Sequence, residues 1–264
     1  MPADPTPTSA RAQLAALAEA AASGRGGRGF EAFADMPTAA NSRAAAVLML
    51  FGVLDGLPSD HEAQADAVSR DLDVLLLERA LTLRANPGQV AFPGGRVDPG
   101  DESPVDAALR EAEEETGLDP AGVEVFGALE TVPLAFSQHV VTPVLAWWRH
   151  PSPVHVVDEA ESAAVFRAPV ADLLDPANRG STVIRRNGQE WRGPGFLVSQ
   201  SSREHLVWGF TAMLLDGLFD RLGWTEPWDA DRELPLDRSG LDTSTASRVR
   251  SGRHNDPLHP SPHH

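Results

Sequence analysis

Apolar residues along the chain fall into short runs separated by turn formers, with a change of period near each end. Runs over Ala44 to Leu54, Val74 to Leu77, Val123 to Leu129, Val140 to Trp148 and Ala163 to Arg167 have the length and boundaries of strands. Two shorter segments, Ser181 to Arg186 and Gly195 to Val198, extend the series. The period then changes. Leu206, Phe210, Met213, Leu214, Leu218 and Leu222 recur at helical spacing and predict a helix over Leu206 to Leu222. Leu14 and Leu17 suit a short amphipathic helix in the alanine-rich stretch Ala10 to Ala22, between flexible segments at Pro2 to Thr8 and Gly24 to Gly29. From Trp228 onward the pattern dissolves into Asp, Arg, Ser, Pro and His, which reads as a disordered tail. Strands mixed with two principal helices predict an α/β fold, a sheet packed between helices. The organisation expected is an N-terminal helix and linker (1–41), one main domain (42–227) and a tail (228–264).

Between the second and third runs stands an acidic helix, Arg110-Glu111-Ala112-Glu113-Glu114-Glu115. At about 100° per residue, Glu111, Glu114 and Glu115 share one face while Glu113 points elsewhere. Like charges so placed repel unless a cation joins them, and hard divalent ions prefer carboxylate oxygens. The helix has a defined start in Ser103, Pro104 and Asp106, a cap, a first-turn proline and an acid. Gly117 supplies the stop. The turn Phe92-Pro93-Gly94-Gly95 brings bare backbone toward the carboxylates, where a carbonyl such as that of Gly94 can join a metal shell.

Gly95, Glu102 and Arg110 to Leu118 resemble the signature of the Nudix hydrolases: Gly, five residues, Glu, seven residues, Arg-Glu, an apolar residue, any residue, Glu-Glu, any residue, Gly and an apolar residue. Here six residues separate Gly95 from Glu102, so either the loop carries one extra residue or Asp101 takes the first acidic place. The resemblance implies the Nudix α/β/α sandwich and a Mg2+ or Mn2+ site built on Glu111, Glu114 and Glu115, with Gly94 and either Asp101 or Glu102 contributing from the loop. Glu114 and Glu115 are the expected direct ligands. Glu111 either shares the metal or accepts a proton. Arg110 is carried over as support for the carboxylates. A further carboxylate is expected from outside this segment, and Glu161 is chosen within Asp158 to Glu161 because relatives place a glutamate about five residues before the strand aromatic, here Phe166.

Upstream, Leu75-Leu76-Leu77-Glu78-Arg79-Ala80, Arg84 and Gly88-Gln89-Val90-Ala91-Phe92-Pro93-Gly94-Gly95 are similar in spacing to the motif of the coenzyme A pyrophosphatase branch. Leu77 stands for its threonine, and Asn86 sits where relatives often carry histidine. Val207 to Ala212 resembles that branch's closing helix. The resemblance, spanning roughly residues 42 to 224, implies hydrolysis of coenzyme A or acyl-CoA to (acyl-)4′-phosphopantetheine and adenosine 3′,5′-bisphosphate. Arg79 and Arg84 are the expected phosphate grips, with Gly88, Gln89 and Phe92 in the same substrate-side segment.

Charge fits that chemistry. The chain holds 38 Asp and Glu against 22 basic residues, all of them arginine, for a net charge of −16. An acidic pocket binds an anionic diphosphate through bridging metal ions, which also lower the pKa of a bound water. The same charge argues against a nucleic-acid surface. Absence of cysteine excludes disulfides, thiolate metal sites and a cysteine nucleophile. No run reaches the ~20 apolar residues of a membrane span, and the N-terminus lacks the basic leader of a secretory signal. A cytoplasmic enzyme is expected, with homodimerisation left open. His139 is read as structural or surface, without a nucleophilic role. Two other readings stay open: a Nudix hydrolase for another nucleoside diphosphate derivative such as ADP-ribose or a nucleotide sugar, and a non-catalytic Nudix ligand-binding module.

Overall fold

Strand β1 (Arg43–Val53) is buried on both sides, which explains why it reads as one continuous apolar run. Ala46, Leu48 and Leu50 join one hydrophobic cluster and Met49 and Phe51 the other. In the computed structural model, which describes residues 9–25, 42–53, 58–83, 86–134, 139–186, 188–200 and 203–236, this strand is the axis of a mixed sheet. On one side β1 pairs antiparallel with β2 (Leu72–Arg79) through Phe51 to Val53. β3 (Val90–Ala91) pairs with the far end of β2. β4 (Gly94–Arg96) pairs with β1 at Ala45 to Val47. Helix α2 (Pro104–Thr116) and β5 (Val123–Ala128) then lead through β6 (Val132–Leu134) to β7 (His139–Trp148). β7 runs parallel to β1 from Arg43↔His139 to Phe51↔Trp147. β8 (Ser162–Pro169) closes the far side on β2.

The two faces of the sheet are covered differently. Alanines 107, 108 and 112 of α2 have no exposed surface and pack on Leu48, Leu75 and Val144. Side chains this small let the helix lie close to the strands. The opposite face is covered by α1 (Ala10–Ala22) and α4 (Gly209–Leu222), with a second, three-stranded sheet of β9 (Arg179–Arg186), β10 (Gln189–Gln200) and β11 (Arg203–Trp208). Leu14, Phe196, Val207, Leu214 and Phe219 are core residues of that layer. The α/β architecture expected from the sequence is therefore the observed one. Among the described residues no helix is long and apolar enough to cross a membrane.

Three expectations shift. The last helix begins at Gly209, not Leu206, because Leu206 and Trp208 are strand residues pointing away from Val207 and packing with Leu234. Gly209, with φ 65°, makes the break. A short helix, α3 (Val170–Leu174), follows β8 where none was expected. The tail predicted from Trp228 is ordered for its first nine residues. Arg179, with no exposed surface, lies between the rings of Phe196 and Trp228 at 4.8 and 4.6 Å and is paired with Asp216. The Ser181 N–H donates to the Arg232 carbonyl (2.7 Å) and the Leu234 N–H to the Ser181 carbonyl (2.8 Å). The apolar period misses this strap because its attachments (the Trp228 ring, the Leu234 side chain, the Glu233–Arg185 ion pair and backbone hydrogen bonds) recur at no fixed spacing.

Candidate active site

Helix α2 has fixed ends. The Ser103 hydroxyl accepts from the Asp106 N–H at 3.3 Å, Pro104 occupies the first turn, and Gly117 closes the helix at φ 69°, donating to the Glu113 carbonyl. With its alanine face against the sheet, the flank carrying Glu111 and Glu115 meets β4. The Gly94 N–H donates to Glu115 Oε2 at 2.9 Å. Beside it, the carboxylate of Glu111 fills the space a side chain at Gly95 would take: a Cβ there would stand 2.5 Å from Oε2. Gly94 is as confined, since its Cβ would stand 2.7 Å from the Cα of Val47. The two glycines thus let a strand and a carboxylate pair share one space.

Arg110 organises the outer side. Its Nε and Nη2 donate to the two oxygens of Asp101, both at 3.0 Å, and Nη2 also reaches the Arg96 carbonyl at 3.0 Å. Nη1 donates to Glu111 Oε1 (3.1 Å) and Glu114 Oε2 (3.2 Å). Asp101, 6% exposed at its side chain, is therefore committed to Arg110, whose guanidinium, with the Asp98 N–H, holds its carboxyl below the ordinary range. Glu102 and Glu113 are exposed. Glu114 is the most open of the three helix acids on this face, at 59%.

Burial pushes the Glu115 carboxyl up to about 7; Glu111 and Glu161 add to this, while the Gly94 N–H and Arg79 oppose it. Burial likewise raises Glu111, with Glu114 and Asp98 adding and Arg110 opposing. Asp98 is a neighbour that sequence reasoning missed; it lies in the same short loop as Asp101 without a motif position to mark it. Arg79 ends β2. Its N–H donates to the Gln89 carbonyl (3.0 Å), and its own carbonyl accepts from Gly88 (3.1 Å). Its Nε is buried with no hydrogen-bond partner among the described residues. The next N–H, of Ala80, donates to the Glu161 carbonyl at 2.8 Å. Arg79, Glu115 and Glu161 thus come together from three separate segments. Arg84 lies outside the described residues. Gln89 Nε2 lies near Gly209 at the start of α4. Phe92, expected on the substrate side, is 3% exposed and belongs to the core with Val90; it supports the turn from beneath.

Among the described residues no three His, Asp or Glu side chains stand ready-arranged to hold a metal ion; Glu115 with the neighbouring Glu111 is the donor pair that a divalent ion would use. Glu115 is a buried acid beside a second acid, receives one hydrogen bond from Gly94, and holds its proton far more tightly than a free carboxyl. A cation would supply the compensation it lacks.

Comparison with known proteins identifies the family. The NUDIX domain model matches residues 60–187. A protein of Escherichia fergusonii named "Uncharacterized Nudix hydrolase NudL" is 41% identical over 151 residues, 57% of this chain and 75% of the relative. The chain belongs to the Nudix hydrolase family. A Photorhabdus laumondii relative of the same name is 38% identical over 146 residues, 55% of this chain and 74% of its own length. Among solved Nudix structures, the C. elegans Ap4A hydrolase binary complex is 23% identical, covering 47% of this chain and 77% of its own at a TM-score of 0.35. The NUDIX domain of Shewanella oneidensis NrtR complexed with ADP ribose is 21% identical, covering 55% and 84% at 0.37. As a Nudix hydrolase, the protein is assigned to hydrolysis of diphosphate linkages.

Proposed function

We propose that this Nudix hydrolase cleaves the diphosphate of coenzyme A or its acyl thioesters, with Mg2+ or Mn2+, to (acyl-)4′-phosphopantetheine and adenosine 3′,5′-bisphosphate. The observation that carries the reading is the place of Arg79. The arginine of the coenzyme A-type segment stands within electrostatic reach of Glu115, and its Nε is buried with no bond to another described group. An arginine so placed is available to a phosphate oxygen.

Glu111, Glu114 and Glu115 would hold the metal, which supplies charge neutralisation for the diphosphate and a more acidic bound water. Arg110 keeps Glu111 and Glu114 in place through contacts of 3.1 and 3.2 Å. Attack by water forms one P–O bond and breaks the bridging P–O bond; a carboxylate, Glu161 or Glu111, takes the proton. The retained acids favour an enzyme over a binding module.

The test is direct. Coenzyme A, ADP-ribose and dNTPs are each incubated with the protein and Mg2+, and products are identified by mass. Coenzyme A is expected to yield 4′-phosphopantetheine. Rapid ADP-ribose cleavage with coenzyme A untouched would replace this substrate by another nucleoside diphosphate derivative. Glu161→Gln is expected to lower turnover about 100-fold; near-normal rates would remove Glu161 from the mechanism.

A further inference from the structure

On the side of β2 away from α2, a buried carboxylate and a buried imidazole, reached from solvent by a half-exposed arginine, stand directly behind Arg79. Glu78 is 5% exposed. Successive strand residues face opposite sides: Leu75 packs in the cluster with α2 and Leu76 in the cluster of the other layer, so Glu78 faces β11 while Arg79 faces the carboxylates. Glu78 Oε1 accepts from Arg203 Nη2 at 2.7 Å, and Oε2 lies 2.8 Å from His205 Nδ1, a close contact without hydrogen-bond geometry. The His205 ring, 5% exposed, stacks on Phe166 of β8 at 4.3 Å between centroids. One carboxylate thereby ties β2 to β11, and the same histidine leans on β8.

Stability alone is a poor account of such a cluster, because a carboxylate held out of water gains little from an arginine that stays half in solvent. Its position is more informative. The pairing of β2 with β8 slips between Glu78 and Arg79: Glu78 faces Ala164, but Arg79 faces Ser162, so Ala163 is an extra residue. The bulged strand is β8, which bends there and interrupts the ladder that would otherwise hold Arg79 on that edge. On the other edge Arg79 is bonded to Gly88 and Gln89 instead of continuing a regular ladder. The end of β2 is thus irregularly paired on both edges, and the fixed point before it is the carboxylate of Glu78.

We propose that Glu78, His205 and Arg203 form a positioning clamp that fixes the end of β2, so that the Arg79 guanidinium faces Glu115 and a bound diphosphate. This rests on the phosphate-binding role given to Arg79 above. The clamp acts through Arg79 and touches no substrate.

Sign separates positioning from simple electrostatics. If Glu78 acted only as a nearby negative charge, neutralising it would tighten anion binding; a lost clamp weakens it. The probe is methylenediphosphonate, a non-hydrolysable diphosphate, titrated calorimetrically with Mg2+ against the full chain. Mn2+ affinity is read separately by electron paramagnetic resonance. Arg79→Ala is expected to weaken the diphosphonate about 30-fold. Glu78→Gln and His205→Gln are each expected to weaken it about threefold to tenfold and to leave Mn2+ affinity unchanged. In the Arg79→Ala background neither should weaken it further, the non-additivity of groups acting through one another. Unchanged or tighter binding in the single variants overturns the clamp, as does an equal loss in the Arg79→Ala background. Wild-type affinity in Arg79→Ala itself overturns the phosphate role of Arg79 and the clamp with it, a pattern distinct from failure of the clamp alone. Should Glu78→Gln not fold, His205→Gln, which keeps the carboxylate, decides.

Discussion

Replacing Gly95 by alanine separates catalytic geometry from fold, and adjacent Gly94 is its control. The added methyl carbon at Gly95 would stand 2.5 Å from Glu111 Oε2, with the rest of that carboxylate nearer still. Ordinary contact needs about 3.5 Å, so the carboxylate must retreat by about 1 Å. It can do so, because it is the end of a flexible side chain. Metal–ligand distances tolerate only about 0.2 Å, and a displacement of about 1 Å in a catalytic group is enough for about 100-fold in rate. The expected result is a fall of about 100-fold in kcat/KM and about tenfold in Mn2+ affinity, with Tm lowered by no more than about 4 °C. At Gly94 the obstacles are the Ala46 carbonyl and Val47 Cα, backbone of the central strand, which cannot swing away. Gly94→Ala should lower Tm by about 10 °C or prevent soluble expression. Steady-state kinetics, Mn2+ titration and calorimetric melting of both variants are sufficient. A Gly95→Ala protein with wild-type kcat/KM and metal affinity would refute the placement of Glu111, and a wild-type Tm in Gly94→Ala would refute the seating of β4 on β1.

Three other expectations follow from the same geometry. Because the folded protein raises Glu115 to about 7 from an ordinary 4.5, its protonation favours the folded state below about pH 4.5 and that gain is lost as pH rises through 7. At pH 8.5 in EDTA the ionised side chain costs roughly 3 kcal/mol, so Glu115→Gln should resist urea better than wild type there, converge near pH 5, and lose Mg2+ stabilisation; parallel pH profiles would contradict this. Arg110→Lys cannot reproduce the two bonds to Asp101 and should weaken Mn2+ binding about tenfold, read by electron paramagnetic resonance. Asp216→Ala strands the buried charge of Arg179 and should cost about 3 kcal/mol in denaturant unfolding.

The acidic helix was legible because local rules govern it: a serine cap, a proline in the first turn, a glycine stop and acids three and four apart are visible within fifteen residues. The long strands were legible through their apolar runs. Short strands β3, β4 and β6 carry too few residues to show a period and exist by pairing with other strands, β4 with one about fifty residues earlier. The same reason hid the cluster behind Arg79, whose members Glu78 and His205 are separated by more than a hundred residues and carry no spacing. Asp101 illustrates the remaining gap. The resemblance to the Nudix signature left it beside Glu102 as a candidate for the loop acid, but only the three-dimensional path of Arg110 brings its oxygens to a guanidinium.

The packing of Trp228 on Arg179 bears on the order in which the chain can complete itself during synthesis. Arg179 leaves the ribosome well before Trp228, and until that ring arrives the guanidinium has Phe196 on one face and solvent on the other. Cover of the Arg179 guanidinium therefore cannot be complete until Trp228 has been made. Recombinant versions ending before Trp228 would present a half-covered cation and the bare edge of β9, an adhesive surface.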